Sequence, residues 1–443
     1  MLELIPSFGG FLTTVAVFIV ALSIIVAVHE YGHYIVGRWC GIHAEVFSLG
    51  FGPVLASRVD RHGTRWQLAA LPFGGFVKFL GDADAASHAD AAALARMDGE
   101  TRKRTMHGAA LYKRALTVAA GPAANFLMSI VVFAGMFLAT GVATDTPVVG
   151  ELKPLPVEQR GLQKGDRILA LDGQEIADYG QLFELARERS DVATMTYDVE
   201  RAGQRLRVEG PNVLPPLITA VQPQSAAVRA GLRVGDVILA VDGQPVSGFG
   251  QLPEIVEAAE GRELTLSLWR AGETLEVALT PRVVDLPDGE GGFERRVLIG
   301  ITGGPSFEPE TRTPGPLEAV GMGAGQVWNV ITTSLSGLQH MIVGAISTCN
   351  LQGPIGIAQV TGDAASQGLS SFIWFVALLS TAIGLLNLFP IPVLDGGHLV
   401  FHAYEAIAGR PPSDRAMNVM MMAGLVVVIS LMVFGLTNDL FCR

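Results

Sequence analysis

Val28-His29-Glu30-Tyr31-Gly32-His33 closes the first long apolar run of this 443-residue chain. Residues four apart in a helix share a face and lie roughly 6 Å apart along its axis. His29 and His33 therefore present both imidazoles to one side, where two ring nitrogens can reach a single zinc ion at about 2.0–2.1 Å each. Glu30 lies partly off that face, yet close enough to hold a water and carry its proton. The plain alternative is three polar residues at the wet end of a membrane anchor. Ionisable groups in an apolar segment are costly, so the functional reading is favoured.

Working outward, Phe11 to Val28 holds 18 residues without a charge, enough with the histidine turn for one spanning helix. Met1 to Gly10 carries no Lys or Arg and the apolar run outlasts a signal peptide, so no cleavable leader is expected. Residues 115–144, 370–394 and 416–437 supply three further apolar runs. Hydrophobic residues make up 49% and charged residues 16% of the chain, and mean hydropathy is +0.40. That is the composition of a polytopic membrane protein with a soluble part. The net charge of −11 resides in residues 145–318, with 28 acidic and 17 basic side chains, while the remainder balances at 14 against 14. This excludes a nucleic-acid surface. Cys40, Cys349 and Cys442 match no metal or disulfide spacing and are silent about redox compartment.

Residues 38–114 carry 11 Lys or Arg, which places this loop in the cytoplasm and the amino terminus outside. Its first part, Val46 to Gly52, Trp66-Gln67-Leu68 and Gly75 to Lys78, reads as short β-hairpins at or dipping into the membrane surface. Irregular backbone survives there only when buried in protein or lining a wet cavity. Its later part, Asp82 to His107, reads as an Ala-rich surface helix or insert. The acidic segment holds an internal repeat: Gly161 to Gly173 returns as Gly231 to Gly243, and 13 of 22 residues match between 161–182 and 231–252. Arg201-Ala202-Gly203 echoes as Arg270-Ala271-Gly272. Two such copies mean tandem domains.

Residues 319–362 lack charged side chains but are rich in Gly, Ser, Thr, Asn and Gln. A span here would put Asp395 about 30 Å from the histidines. The expectation is instead a helix over 319–348 lying in the interface, ended by Gly353-Pro354. Asn387-Leu388-Phe389-Pro390-Ile391-Pro392-Val393-Leu394-Asp395-Gly396-Gly397 closes the third run, with Pro390 and Pro392 breaking the helix. Asp395 then emerges on the side of His29 and His33. Catalytic zinc takes three protein ligands and one open position, which these three residues satisfy. Alone, Asp395 would read as a helix-end residue in a glycine turn.

His29-Glu30-x-x-His33 and Asn387-x-x-Pro390-x-x-x-x-Asp395-Gly396 together resemble the site-2 protease family of intramembrane zinc metalloproteases, in its bacterial branch with two PDZ domains between the second and third spans. The resemblance covers nearly the whole chain. It implies one zinc ion on His29, His33 and Asp395, Glu30 as general base, and Asn387 with Pro390 near the substrate backbone. It also implies a membrane-reentrant β-loop at Phe47 to Gly52, whose Gly50, Phe51 and Gly52 present an edge to substrate. Independently of the family, an unwound helix is naturally held by addition to a sheet edge, and residues 44–80 offer one. Leu298-Ile299-Gly300-Ile301 reads either as a PDZ carboxylate-binding loop or as an ordinary strand with a glycine. His43, His62, His88, His107, His340 and His402 are isolated, while His398 rivals Asp395 as a ligand.

The expected fold class is a polytopic α-helical membrane protein of four spans, with a membrane-associated β-hairpin region and two extracytoplasmic α+β PDZ domains. Its parts run as a first span (1–40), a β region with the Ala-rich loop (41–111), a second span (112–144), PDZ domains at 145–213 and 214–304, an interfacial helix region (305–366), a third span with the Asp ligand (367–400), and a cytoplasmic turn with the fourth span (401–443). The implied activity is zinc-dependent cutting of single-span membrane proteins in a bacterial inner membrane, near the cytoplasmic side. A pre-trimmed anti-sigma factor or signal-peptide remnants would be the substrates, an envelope-stress response the outcome, and the lipid bilayer a partner. The rival is a non-proteolytic PDZ scaffold or a metal-handling protein, which needs no base at Glu30.

Overall fold

The computed structural model describes residues 10–83, 90–157, 161–222, 224–287 and 293–441. The leader reading over residues 1–9, His88 with part of the Ala-rich insert, and Cys442 lie outside them. The helices are α1 (Phe11–Trp39), α2 (Ala91–Arg96), α3 (Gly99–Lys103), α4 (Leu111–Thr140), α5 (Tyr179–Glu188), α6 (Ala226–Arg229), α7 (Gln251–Ala258), α8 (Pro316–Ile342), α9 (Pro354–Ser366), α10 (Leu369–Asn387), α11 (Asp395–Ala408) and α12 (Asp414–Phe441). They belong to two compact units, one of Met1–Met136, Pro316–Gln339 and Thr348–Arg443, the other of Phe137–Gly315 and His340–Ser347.

In the first unit, α1, α4, α10 and α12 each contain a stretch long and apolar enough to cross a membrane. They fit a polytopic membrane protein. Helix α10 stops at Asn387, since Pro390 and Pro392 cannot continue it, and Asp395 opens the separate helix α11. One expectation here needs correction: Gly353-Pro354 does not end a helix. Pro354 stands at the start of α9, where its missing N–H costs nothing. Asp439 of α12 completes that start by accepting from the backbone N–H of Gly353, Ile355 and Gly356 at 2.9–3.0 Å. Helix α8 buries Ala319, Gly323 and Val327, spaced one turn apart, and a side chain at Gly323 would overlap the backbone of α4 at Ile130.

The β region is one pair of long bent strands, β1 (Ala44–Val59) and β2 (Arg65–Phe79), rather than several short hairpins. Val46 to Leu49 have neighbours on both sides: Lys78 to Gly75 on one, Arg65 to Leu68 on the other. The far half of β1, Val54 to Val59, pairs with Ala69 to Arg65. Four segments thus form a small sheet, with Gly75–Phe79 on one edge and residues 54–59 on the other. The bend in β1 falls at Gly50 and Gly52, with φ of +88° and +84°, a region glycine enters freely. Asp60, in the turn, accepts from Tyr34 Oη, Trp66 Nε1 and the amides of His62 and Thr64.

In the second unit the sequence repeat becomes two sheets with the same strand order. Gln174–Glu175, Arg167–Leu171, Thr194–Arg201 and Gln204–Pro211 lie side by side in the first. Gln244–Pro245, Val237–Val241, Leu264–Arg270 and Glu273–Leu279 do so in the second. The repeated Gly-Leu-x-x-Gly-Asp has a physical cause. Asp166 is buried and chelated by Arg201, whose Nε and Nη2 donate at 2.7 Å. Asp236 receives Arg270 with the same geometry. The Arg-Ala-Gly echo is the hairpin turn that follows, where Ala202 and Ala271 adopt φ of 49° and 48° ahead of a glycine. Cys40 is free, while Cys349 is disulfide-bonded, which the cysteine spacing did not reveal.

Candidate metal centre

Helix α1 brings His29 and His33 to one face, and α4 crosses it closely because Gly32 offers no side chain. A Cβ there would overlap the Ala120 carbonyl and Ala124. Likewise a Cβ at Gly121 of α4 would occupy the space of the His33 and His29 rings. Asp395 arrives at the first turn of α11, held there by Gly396, which rests directly on the Leu388 and Phe389 carbonyls. Asp395 Oδ2 lies 3.1 Å from His29 Nε2 and 3.4 Å from His33 Nε2, and the two Nε2 atoms are 3.2 Å apart. These are the three ligand types the sequence proposed, within 4.8 Å of one another.

The donor set fits zinc. His33 Nδ1 faces the Thr117 carbonyl at 2.9 Å and must donate to it, which leaves the Nε2 lone pair free for a cation. His29 Nδ1 faces the Asn125 side-chain amide at 3.3 Å, and Asn125 Oδ1 has no partner. A half-turn of that amide lets Oδ1 accept from His29 Nδ1–H, satisfying both groups and again freeing Nε2. Ser129 and Ser380 donate to the Asn125 backbone carbonyl at 3.0 and 3.1 Å. Asp395 Oδ2 is buried without a hydrogen bond, an arrangement a cation would complete.

The centre opens on a cavity of about 310 Å³ lined by His29, Glu30, His33, Gly75, Val77 and Asn387 among others. Gly75 lies so close to Glu30 that a Cβ there would come within 3.0 Å of Glu30 Cγ. His107, Arg114, His398 and His402 also line the cavity. Arg114 of α4 forks onto Glu405 of α11 at 3.0 and 2.6 Å. His398 lines the cavity, but among the described residues the cluster that could hold a metal is His29, His33 and Asp395. Asn387 also lines it, with Nδ2 donating back to Ile383 at 3.1 Å.

Other expected residues lie elsewhere. Pro390 is exposed and outside the cavity lining. Gly50, Phe51 and Gly52 are outside it too, and Phe51 stacks on Phe76 with centroids 6.0 Å apart. Leu298 to Ile301 belong to the second unit, where Ile299 is buried and Gly300 is pressed against Ser225. Sequence reasoning missed Thr117 and Asn125, and it named Gly75–Val77 only as part of the β region at 44–80, not as cavity lining. Asn125 did carry a signal, as a polar residue inside an apolar run just after Gly121-Pro122.

A membrane helix cluster with two imidazoles, a carboxylate and an adjacent glutamate around one cavity defines a membrane-embedded metal hydrolase. The chain belongs to Peptidase family M50, matching it over residues 17–431. It is 38% identical over 433 residues to a provisionally named zinc metalloprotease of Agrobacterium fabrum, covering 97% of each chain. A similarly named protein of Rhizobium meliloti is 37% identical over 96% of each. The regulator of sigma-E protease of Salmonella typhimurium is 33% identical, over 97% of this chain and 98% of its own. The protein is thus a zinc metalloprotease of the site-2 type.

Proposed function

We propose that the protein cuts single-span membrane proteins within the bilayer, with one zinc ion on His29, His33 and Asp395 and with Glu30 as general base. The convergence of both Nε2 atoms on a buried Asp395 Oδ2 that makes no hydrogen bond carries this reading. Bound zinc would lower the pKa of a water and polarise the scissile carbonyl. Glu30 takes the proton of the attacking water and delivers it to the leaving amine. Thr117 and Asn125 hold the imidazoles in the ligating tautomer. The segment Gly75–Phe79, paired with β1 on one side only among the described residues, offers an edge for an unwound substrate strand. Asn387 faces the same cavity and would meet that strand's backbone.

Four spans with the amino terminus outside place α11 on the side of the histidines. The 11 basic residues of 38–114 support this, as does the disulfide at Cys349, a feature of oxidising compartments. Cysteines introduced at 38 and 410, in a background without native ones, should label only from the cytoplasm, and one at 241 only from outside. The two repeats are PDZ domains on the outer side, and we favour a filter that refuses substrates with bulky outer parts. Joining the ends of a 150–300 deletion through a flexible linker should then permit cutting of an untrimmed substrate. Capture by a carboxylate loop at Leu298 to Ile301 would instead make that deletion abolish cutting of the trimmed one. A trimmed anti-sigma factor is the favoured substrate, with signal-peptide remnants second and an envelope-stress response as the outcome. The name of the Salmonella relative supports it. The test is fragment release from candidate single-span proteins in cells carrying the wild type, Glu30→Gln or no copy. Equal release in all three would refute the proposal.

A further inference from the structure

On the sheet side of α1 lies a second concavity that the metal centre does not use. It is a groove of about 580 Å³ between α1 and the sheet, lined by Val28, Tyr31, Leu49, Ala56, Arg58 and Leu68 among others. Its lining is mainly apolar, with Ser57 and Gln67 as neutral polar members and Arg58 as the charged one. In the ladder Arg58 lies opposite Trp66, and Arg65, outside the lining, lies opposite Val59. Among the described residues neither arginine forms an ion pair or a side-chain hydrogen bond. The carboxylate nearest in sequence, Asp60, is already committed to four donors. Tyr31 is 47% exposed, which leaves it accessible from the groove.

We propose that this groove binds an anionic phospholipid, with an acyl chain along Val28, Leu49 and Leu68 and the phosphate at Arg58. The polarity of the site argues for that occupant. A transmembrane peptide would be apolar along its whole length and would leave Arg58 unanswered. A phospholipid is apolar for most of its length and anionic at one end, which suits a mainly apolar lining that carries one cation. The neighbouring Leu55, Val59 and Leu68 are 67%, 59% and 49% exposed, as suits a surface that meets lipid. The basic loop also belongs to the leaflet side where anionic headgroups concentrate.

The test uses full-length protein exchanged through phosphatidylcholine vesicles containing a minor fraction of phosphatidylglycerol, with retained lipid read by native mass spectrometry. Wild type should retain phosphatidylglycerol preferentially. Arg58→Gln should lower that retention about fivefold, the size of one arginine's attraction to an anionic headgroup, and leave phosphatidylcholine unchanged. Ala56→Trp, which fills the groove without touching the charge, should reduce retention of both lipids. Arg96→Gln removes a charge from the same loop at a distance and should match wild type. Helical circular dichroism and melting profiles confirm that each variant is folded. Equal phosphatidylglycerol retention in wild type and Arg58→Gln would overturn the assignment. So would an Arg58→Gln variant that keeps its lipid but binds a single-span peptide more weakly, since the groove would then be a peptide site. No arm depends on proteolysis, so the result stands apart from the reading of the metal centre.

Discussion

Asp166 and Asp395 are both withdrawn from water, and the fold treats them oppositely. Asp166 is 0% exposed, and its two oxygens receive Arg201 at 2.7 Å and the Gln163 amide at 2.8 Å. Asp236 repeats this with Arg270 and the Arg233 amide. Asp395, whose side chain is 16% exposed, has no arginine on it, and its buried Oδ2 faces two imidazoles without a hydrogen bond. A buried carboxylate answered on all sides holds a structure together, whereas one left open waits for a cation.

The largest expected effect lies at the open site. Glu30→Gln should lower cleavage of a model substrate by about 10²–10⁴-fold, the usual contribution of a general base, while zinc measured by mass spectrometry stays bound. Near wild-type rates would deny Glu30 its role. At the closed site the effect should fall on stability alone. Asp236→Ala strands the Arg270 guanidinium and should destabilise its repeat by about 3 kcal/mol in denaturant melts, with unchanged zinc content. Lost zinc in that variant would erase the distinction between the two aspartates.

A smaller effect sharpens the contrast from within the metal centre. Asn125→Ala removes the group that orients His29 and should weaken zinc about 10–100-fold in chelator competition. Undiminished affinity would mean that packing alone orients the ring. The smallest effect concerns Asp60, a third aspartate, which resembles Asp166. Burial raises its pKa, but hydrogen bonds from Trp66, the His62 and Thr64 amides and Tyr34 outweigh this and hold it at about 2. A depressed carboxyl contributes stability in full above its unfolded pKa of about 3.9 and loses it as pH falls through the folded value. Trp66 fluorescence in the purified protein should therefore change as pH drops from about 4 to about 2. An Asp60→Asn variant should show no such change.

The candidate ligand cluster was legible because each half of the site is written locally. His29 and His33 share a helical face, and Asp395 follows a double proline that must end a helix. The repeat was legible because Asp166 with Arg201 and Asp236 with Arg270 need the same residues twice. What stayed hidden depends on which surfaces meet. Thr117 reaches His33 through a backbone carbonyl, which any residue possesses, and only the α1–α4 crossing selects it. Gly75–Val77, not Gly50–Gly52, lines the cavity because β1 bends at its glycines and β2 returns along α1. Pro354 carries both a start and a stop meaning. The unseen choice was made by Asp439, some 80 residues away.

The Arg114–Glu405 fork ties α4 to α11, and so ties the helix that orients His33 to the helix that carries Asp395. The proposed ligands come from opposite ends of the chain, so an ion bound by them would also be a fastener between elements that no local sequence joins. Fastening works in both directions. Whatever factor the fork contributes to the docking of α11 returns as the same factor in affinity for the ion, and the ion in turn secures the fork.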